Sequence, residues 1–203
     1  MIRVITIDRE YGSGGADIAR KLADRLGWQL WDQKLTDEIA RLMECDSRTV
    51  EERGERIDPL YYRLFKAFMR GSFEGALNAP RLKMVDAECI RRVAMQVVTL
   101  AADAGNAVIV GRGSAYFLGD RPGVFHVFLY APFESKVQRL CAQGKSHGEA
   151  TGLVETVDRD RAEYIRQHFE VEWPDRHRFH LMLNAASGDD WVVQTILHSV
   201  ALL

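Results

Sequence analysis

Residues Ile5–Gly15 read ITIDREYGSGG, and this stretch decides the fold. Val4, Ile5, Thr6 and Ile7 have the composition of a short buried strand. Gly12-Ser13-Gly14-Gly15 then makes a turn dense in glycine. Beyond it Ile18, Leu22 and Leu26 fall four apart with Ala19 and Ala23 beside them, so Ala16 to Leu26 reads as an amphipathic helix. A strand, a glycine turn and a helix make a cradle for phosphate. Glycines let the backbone come close, and N–H groups at the helix start point at the anion. The common form of this loop ends in Lys-Ser/Thr. Here Gly15 stands at the lysine position and Asp17 at the Ser/Thr position.

Working outward, Gly27 stops the helix and Trp28–Trp31 reads as a second strand ending at Asp32. Thr36 is a good N-cap for a helix reaching Met43. A charged, irregular stretch follows, with a second helix expected from Asp58 to Met69 that carries Tyr61, Tyr62, Phe65 and Phe68. Residues 36–80 are therefore expected to form an inserted helical subdomain within one domain spanning 1–203. A long helix is expected from Met84 to Ala104, then a continuous apolar strand, Ala107–Val110, ending in Gly111-Arg112-Gly113. Val124–Tyr130 is a fourth strand, and Pro132 opens a helix to Gln143. The polar, glycine-bearing stretch Gln143–Gly152 reads as a mobile loop, followed by a helix from Leu153 to Phe169. Phe179–Leu183 and Asp189–Leu202 are the last strand and helix. Strands alternating with helices predict a three-layer α/β fold: a doubly wound, parallel, five-stranded sheet. Ligands of such sheets lie beyond the carboxyl ends of the strands. That rule collects the glycine turn, Asp32 and Arg112.

Composition bounds the rest. The 203 residues are 47% hydrophobic and 28% charged, with a formal net charge of −2, so no bulk field recruits nucleic acid or an anionic membrane. Cys45, Cys89 and Cys141 are far apart and odd in number, which suits reduced thiols in a cytoplasmic protein rather than disulfides or a zinc site. The chain enters a strand at once, without a signal-type apolar region. No apolar run approaches the roughly 18–20 residues that span a bilayer.

Arg112 between two glycines at a strand end is placed for a bidentate grip on phosphate or carboxylate. The run Asp158-Arg159-Asp160-Arg161 has two readings. On an exposed helix it is a solvating ladder, with Asp158 and Arg161 on one face. Behind a mobile loop it is a lid, residues 143–166, that brings arginines over a phosphoryl group. A dinucleotide site remains an alternative: Gly12 and Gly14 fit GxGxxG, but its third glycine is Asp17. His177 and His180 do not make a trusted metal spacing, and Trp173-Pro174-Asp175 reads as a packed turn.

Taken in order, the ITIDREYGSGG loop, WDQKL, AVIVGRGS, VFHVFLYAP, DRDRAEYI and HLMLNAAS resemble the cytidylate kinase-like family. The resemblance implies a nucleoside-monophosphate-binding insert and transfer of the γ-phosphoryl of ATP, with Mg²⁺, to a nucleoside monophosphate, CMP or dCMP before others. By resemblance Gly12, Ser13, Gly14, Gly15 and Ala16 hold the ATP phosphates. Asp17 takes the metal position, Asp32, Arg112 and Asp158 face the acceptor, and Arg159 and Arg161 are lid arginines. Gly113 replaces an aspartate that helps recognise cytidine. Arg9, where a glycine is usual, is expected to supply the charge lost at Gly15, so Arg9, Arg159 and Arg161 are the expected catalytic cations. The alternative is a nucleotide-binding regulatory protein with weak or no kinase activity. The expected partner is a small nucleotide, with no nucleic acid and no membrane.

Overall fold

The computed structural model describes residues 1–35, 37–39, 42 and 87–203, with backbone only at 87–90. Of the expected insert at 36–80 only residues 37–39 and 42 are described, and they are helical, as are residues 33–35, so the helix is under way before Thr36 and Thr36 is not its N-cap. The aromatic helix at 58–69 and residues 84–86 of the expected long helix lie outside the described residues.

Strand β1 (Val4–Arg9) is followed by helix α1 (Gly15–Leu26) and strand β2 (Gln29–Trp31). Helix α2 (Ala87–Ala104) precedes β3 (Ala107–Val110), and a short helix α3 (Ser114–Leu118) leads to β4 (Val124–Tyr130). Helices α4 (Phe133–Ala142) and α5 (His147–Phe169), strand β5 (Leu181–Asn184), a 3-10 turn (Ala185–Ser187) and helix α6 (Asp189–Ala201) complete the described chain.

The sheet has five parallel strands in the order β2-β3-β1-β4-β5. The apolar runs foretold this, because strands covered on both faces have no polar side to alternate with. The pleat instead sorts apolar residues between two cores. Ile5, Ile7, Val108 and Val127 face α1 and α6, meeting Ile18, Leu22, Val193 and Ile196. Val4, Ala107, Ile109 and Val124 face α2 and α5, meeting Val97, Val98, Tyr164 and Ile165. The doubly wound α/β architecture is therefore as read from the sequence. One polar pair interrupts the apolar sheet. Thr6 opposes His126 across β1 and β4, with Oγ1 2.6 Å from Nδ1, while His126 Nε2 lies 2.7 Å from the Gly119 carbonyl. Donation from Nε2–H to that carbonyl lets Nδ1 accept from the Thr6 hydroxyl, and burial pushes the imidazole below the ordinary histidine value.

Two further expectations are corrected. The segment after Gln143 is not a loop as far as Gly152: α5 begins at His147, and Ser146 Oγ accepts from the Glu149 N–H at 3.3 Å. This Ser-x-x-Glu cap starts the helix despite Gly148 and Gly152, each of which costs about 1 kcal/mol relative to alanine. Helix α3, directly after Arg112, was not anticipated; it is a little over one turn long.

The chain moves to one side of β1 for β2 and β3 and to the other for β4 and β5. The carboxyl end of β1, and the glycine loop that leaves it, thus opens on the crevice where such sheets take ligands.

Candidate functional site

The loop is tight for identifiable reasons. Gly12 (φ 78°) and Gly14 (φ 83°) take left-handed backbone, and Gly14 caps α1. Buried Ser13 donates its hydroxyl to the Glu10 carbonyl at 2.8 Å. A Cβ on Gly12 would lie 3.1 Å from Lys136 Cβ, and one on Gly14 would run into the guanidinium of Arg139. Gly15 is different: a Cβ there would lie 2.7 Å from Cγ of Arg9. The Arg9 stem therefore crosses the place where the usual lysine would begin. Its guanidinium ends against Gly111, where a Cβ would collide with Nη1. Gly15 and Gly111 are the two gaps that let Arg9 through.

Beyond Gly111 the backbone stays left-handed for three residues, Gly111 (φ 62°), Arg112 (φ 56°) and Gly113 (φ 67°). The non-glycine member costs about 1–3 kcal/mol, a strain found mostly at functional sites. It turns Arg112 into the protein, where it is buried. Arg9, Arg112, Arg161, Asp8, Gly113 and Trp173 line a cleft of about 20 Å³. Three cations are thus crowded together. Burial and then Arg161 push Arg9 down to about 10, against the pull of Asp32, Asp8 and Asp158. Burial and then Arg9 push Arg112 down to about 9, against the pull of Asp32. Both stay charged at neutral pH, at a cost that a bound dianion relieves.

The carboxylates are fixed. Asp8 accepts from its neighbour's backbone, Arg9 N–H, at 2.9 Å and from Trp173 Nε1–H at 2.9 Å. Asp158 accepts from the Tyr11 N–H at 2.7 Å and from Arg161 Nη1 at 3.2 Å. Burial raises its carboxyl, with Arg161, the Tyr11 N–H and Lys136 opposing. Arg161 Nη1 also donates to the Arg9 carbonyl at 2.9 Å.

On the other flank of the loop is a second hollow, of about 400 Å³, lined by Gly12, Ser13, Ser135, Arg139, Ala186 and Gly188. Arg139 lies against Gly14 and is held by Asp189 at 3.0 Å. A hollow of this size beside the glycine loop has room for a purine or pyrimidine nucleoside. The sequence reading missed Arg139 and the Ala185–Gly188 turn. Its one available signal was the turn's position after a carboxyl strand end.

The expected residues separate accordingly. Arg9, Arg112, Asp158 and Arg161 come together, and Asp32, at the end of β2, acts electrostatically on both Arg9 and Arg112. Arg159 does not join them: it is exposed, two residues from Arg161 on a helix and so on another face. Trp173, read as a packed turn, packs on Phe128 and also lines the cleft. Asp17 sits in the first turn of α1, with its side chain 43% exposed and 3.2 Å from Arg20. Among the described residues no three His, Cys, Asp or Glu side chains gather to hold a metal. Mg²⁺ does not require that, since it binds through one or two carboxylates with substrate phosphates and water. Asp17 fits that smaller requirement. Among the described residues no helix is long and apolar enough to cross a membrane.

Known proteins share this frame. An uncharacterized protein from Eubacterium ventriosum is 21% identical with a TM-score of 0.64, covering 97% of this chain and 98% of its own. A shikimate kinase from Bacteroides thetaiotaomicron is 18% identical with a TM-score of 0.51, covering 100% of both. A shikimate kinase from Acinetobacter baumannii, in complex with shikimate, is 18% identical with a TM-score of 0.50, covering 98% and 95%. At such identities the likeness is one of fold. No curated protein matches the chain at a significant level. The sequence profile of the cytidylate kinase-like family matches residues 4–187. Matched from the first strand to the turn before the last helix, the chain belongs to the cytidylate kinase-like family.

Proposed function

We propose that the protein transfers the γ-phosphoryl of ATP to a nucleoside monophosphate, with CMP and dCMP the first acceptors to test. One observation supports this reading: the Arg9 side chain runs over Gly15 and ends against Gly111, a path on which its charge would stand in for the absent lysine. ATP would lie with its base in the hollow beside Arg139 and its phosphates on Gly12–Ala16. The acceptor's phosphate would sit at the arginine cleft, whose side chains would have to part beyond its present volume of about 20 Å³ for Arg112 to grip it. An acceptor oxygen then attacks the γ-phosphorus, the bond to the β-phosphate oxygen breaks, and ADP leaves. Such transfer needs little covalent help from the protein. It needs positioned cations and excluded water, and Arg9 and Arg161 would supply the cations from the same cleft beside the loop. Asp17 is the residue proposed to hold Mg²⁺, whose charge would offset that of the phosphates. Residues 143–166 remain the proposed lid region, with Arg161 already seated.

Gly15 itself favours a second reading, a nucleotide-binding regulator without turnover, because the usual lysine contact is gone. One assay separates them. Purified protein with ATP and Mg²⁺ is offered CMP, dCMP, UMP, AMP and GMP, and ADP is followed. Acceptor-dependent ADP supports the kinase; ATP binding without it supports the regulator. Exchanging Arg9→Gly with Gly15→Lys tests the loop directly. The double exchange is expected to keep more turnover than Arg9→Ala alone, and equal losses would remove Arg9 from the mechanism.

A further inference from the structure

Lys136 is a buried lysine that the sequence reading did not single out. It projects from α4 beneath the loop, its Cβ and carbonyl close against Gly12. Its ammonium lies 2.9 Å from Glu10 Oε2 and 3.5 Å from Asp158 Oδ2. Glu10 Oε2 also accepts from the Ala131 N–H at 3.2 Å, at the entry to α4. The three residues that open the loop are each tied down differently: the Arg9 carbonyl by Arg161, the Glu10 side chain by Lys136, and the Tyr11 N–H by Asp158. The Tyr11 ring is anchored as well, among Val137, Leu140, Val154 and Val157 of α4 and α5. Lys136 touches two of these ties, at Glu10 and at Asp158.

We propose that Lys136 is the positioning lysine of this loop: through Glu10 and Asp158 it holds the Arg9–Tyr11 edge, and the guanidinium of Arg161, in register with the transfer site. It stands on the flank of the loop, so it acts through these neighbours. The kinetic arm of its test rests on the kinase reading; the structural arm does not. The groups facing Asp158 are Arg161 on its own helix, Lys136 from α4, and Glu10, Arg9 and the Tyr11 N–H from β1 and the loop. Burial already lifts the Asp158 carboxyl. Without the ammonium, Glu10 and Asp158 are two carboxylates in a desolvated place, and proton uptake by Asp158 becomes easier. A protonated Asp158 accepts more weakly, so the Tyr11 N–H and Arg161 loosen together.

The test uses the full chain as Lys136→Met and Lys136→Arg, with Lys136→Gln in place of Lys136→Met if the latter does not fold. Amide exchange at Tyr11 is followed between pH 6 and 8, with the acid limb of CMP-dependent ADP release in ATP and Mg²⁺. Lys136→Met is expected to speed Tyr11 exchange by about tenfold or more, most at the lower pH, and to move the acid limb to higher pH. Lys136→Arg keeps the charge and is expected to stay within about threefold of the parent. Unchanged Tyr11 exchange in Lys136→Met would overturn the proposal, as would equal losses in the Met and Arg variants. If the parent releases no acceptor-dependent ADP, the kinase reading falls, and Tyr11 exchange still decides the role of Lys136.

Discussion

The two flanks of the glycine loop are built on opposite principles. Toward β3 the cleft is about 20 Å³, with Arg9, Arg112 and Arg161 buried beside it. Toward α6 the hollow is about 400 Å³ and carries Arg139, paired with Asp189. The first flank holds desolvated charge in place before any ligand arrives, its aspartates offsetting only part of the repulsion. The second is open and its arginine is already neutralised. Preorganised charge contributes to a transition state because it need not reorganise during reaction. An open hollow contributes binding and little else. On the proposed function, substitutions on the cleft side should therefore act on turnover, and those on the hollow side on ATP affinity.

The largest effect expected is for Arg112→Ala. It removes one cation from a buried cluster that the proposed acceptor phosphate would meet, which should cost roughly 10²- to 10³-fold in kcat/KM for the acceptor. A loss confined to the KM for ATP would reverse the assignment of the flanks. Arg139→Ala comes next, with an expected rise of about tenfold in the KM for ATP and little change for the acceptor. A fall in kcat of similar size would merge the two flanks into one. A buried base outside both flanks serves as reference. Burial holds the His126 imidazole below the ordinary histidine value of 6.5. The unfolded chain then binds the proton more readily, so stability is fully present above about pH 6.5 and declines as pH falls below it. Urea midpoints from pH 8 to pH 5 for the parent and His126→Gln check this; parallel profiles would show that His126 binds its proton equally well in the fold and in the unfolded chain. The smallest effect is expected for Arg159→Ala, under about threefold in kcat, because its side chain is exposed where Arg161 is buried. A loss matching that of Arg161→Ala would mean that the helix turns inward during the reaction.

How far the sequence can be read differs along the same line. The sheet was legible because Ile5, Ile7, Val108 and Val110 belong to apolar runs that parallel strands require. Arg112 was legible because two glycines flank it at a strand end. Arg9 was expected to serve as a replacement cation, although nothing in the chain's order revealed that Gly15 and Gly111 share the work of admitting its side chain. Lys136 and Arg139 stayed hidden for a plain reason: on a helix three residues apart, they look like any solvated pair. Only the packing of α4 against the loop makes one a buried tie and the other a lining residue. The start of α5 was misread because Gly148 and Gly152 outweighed the Ser146–Glu149 cap.

The path of Arg9 has a consequence for how such a loop changes over generations. Positions 9, 15 and 111 are sterically coupled: the Arg9 side chain occupies the space that a side chain at 15 or 111 would need. A mutation to lysine at 15 meets the arginine stem, and a mutation to glycine at 9 leaves the loop without its cation. On the proposed function, each single step from this loop toward the lysine-bearing kind is therefore expected to lower turnover before the second step restores it. Lineages carrying the two kinds should stay apart, each free to vary elsewhere but not at these three positions one at a time.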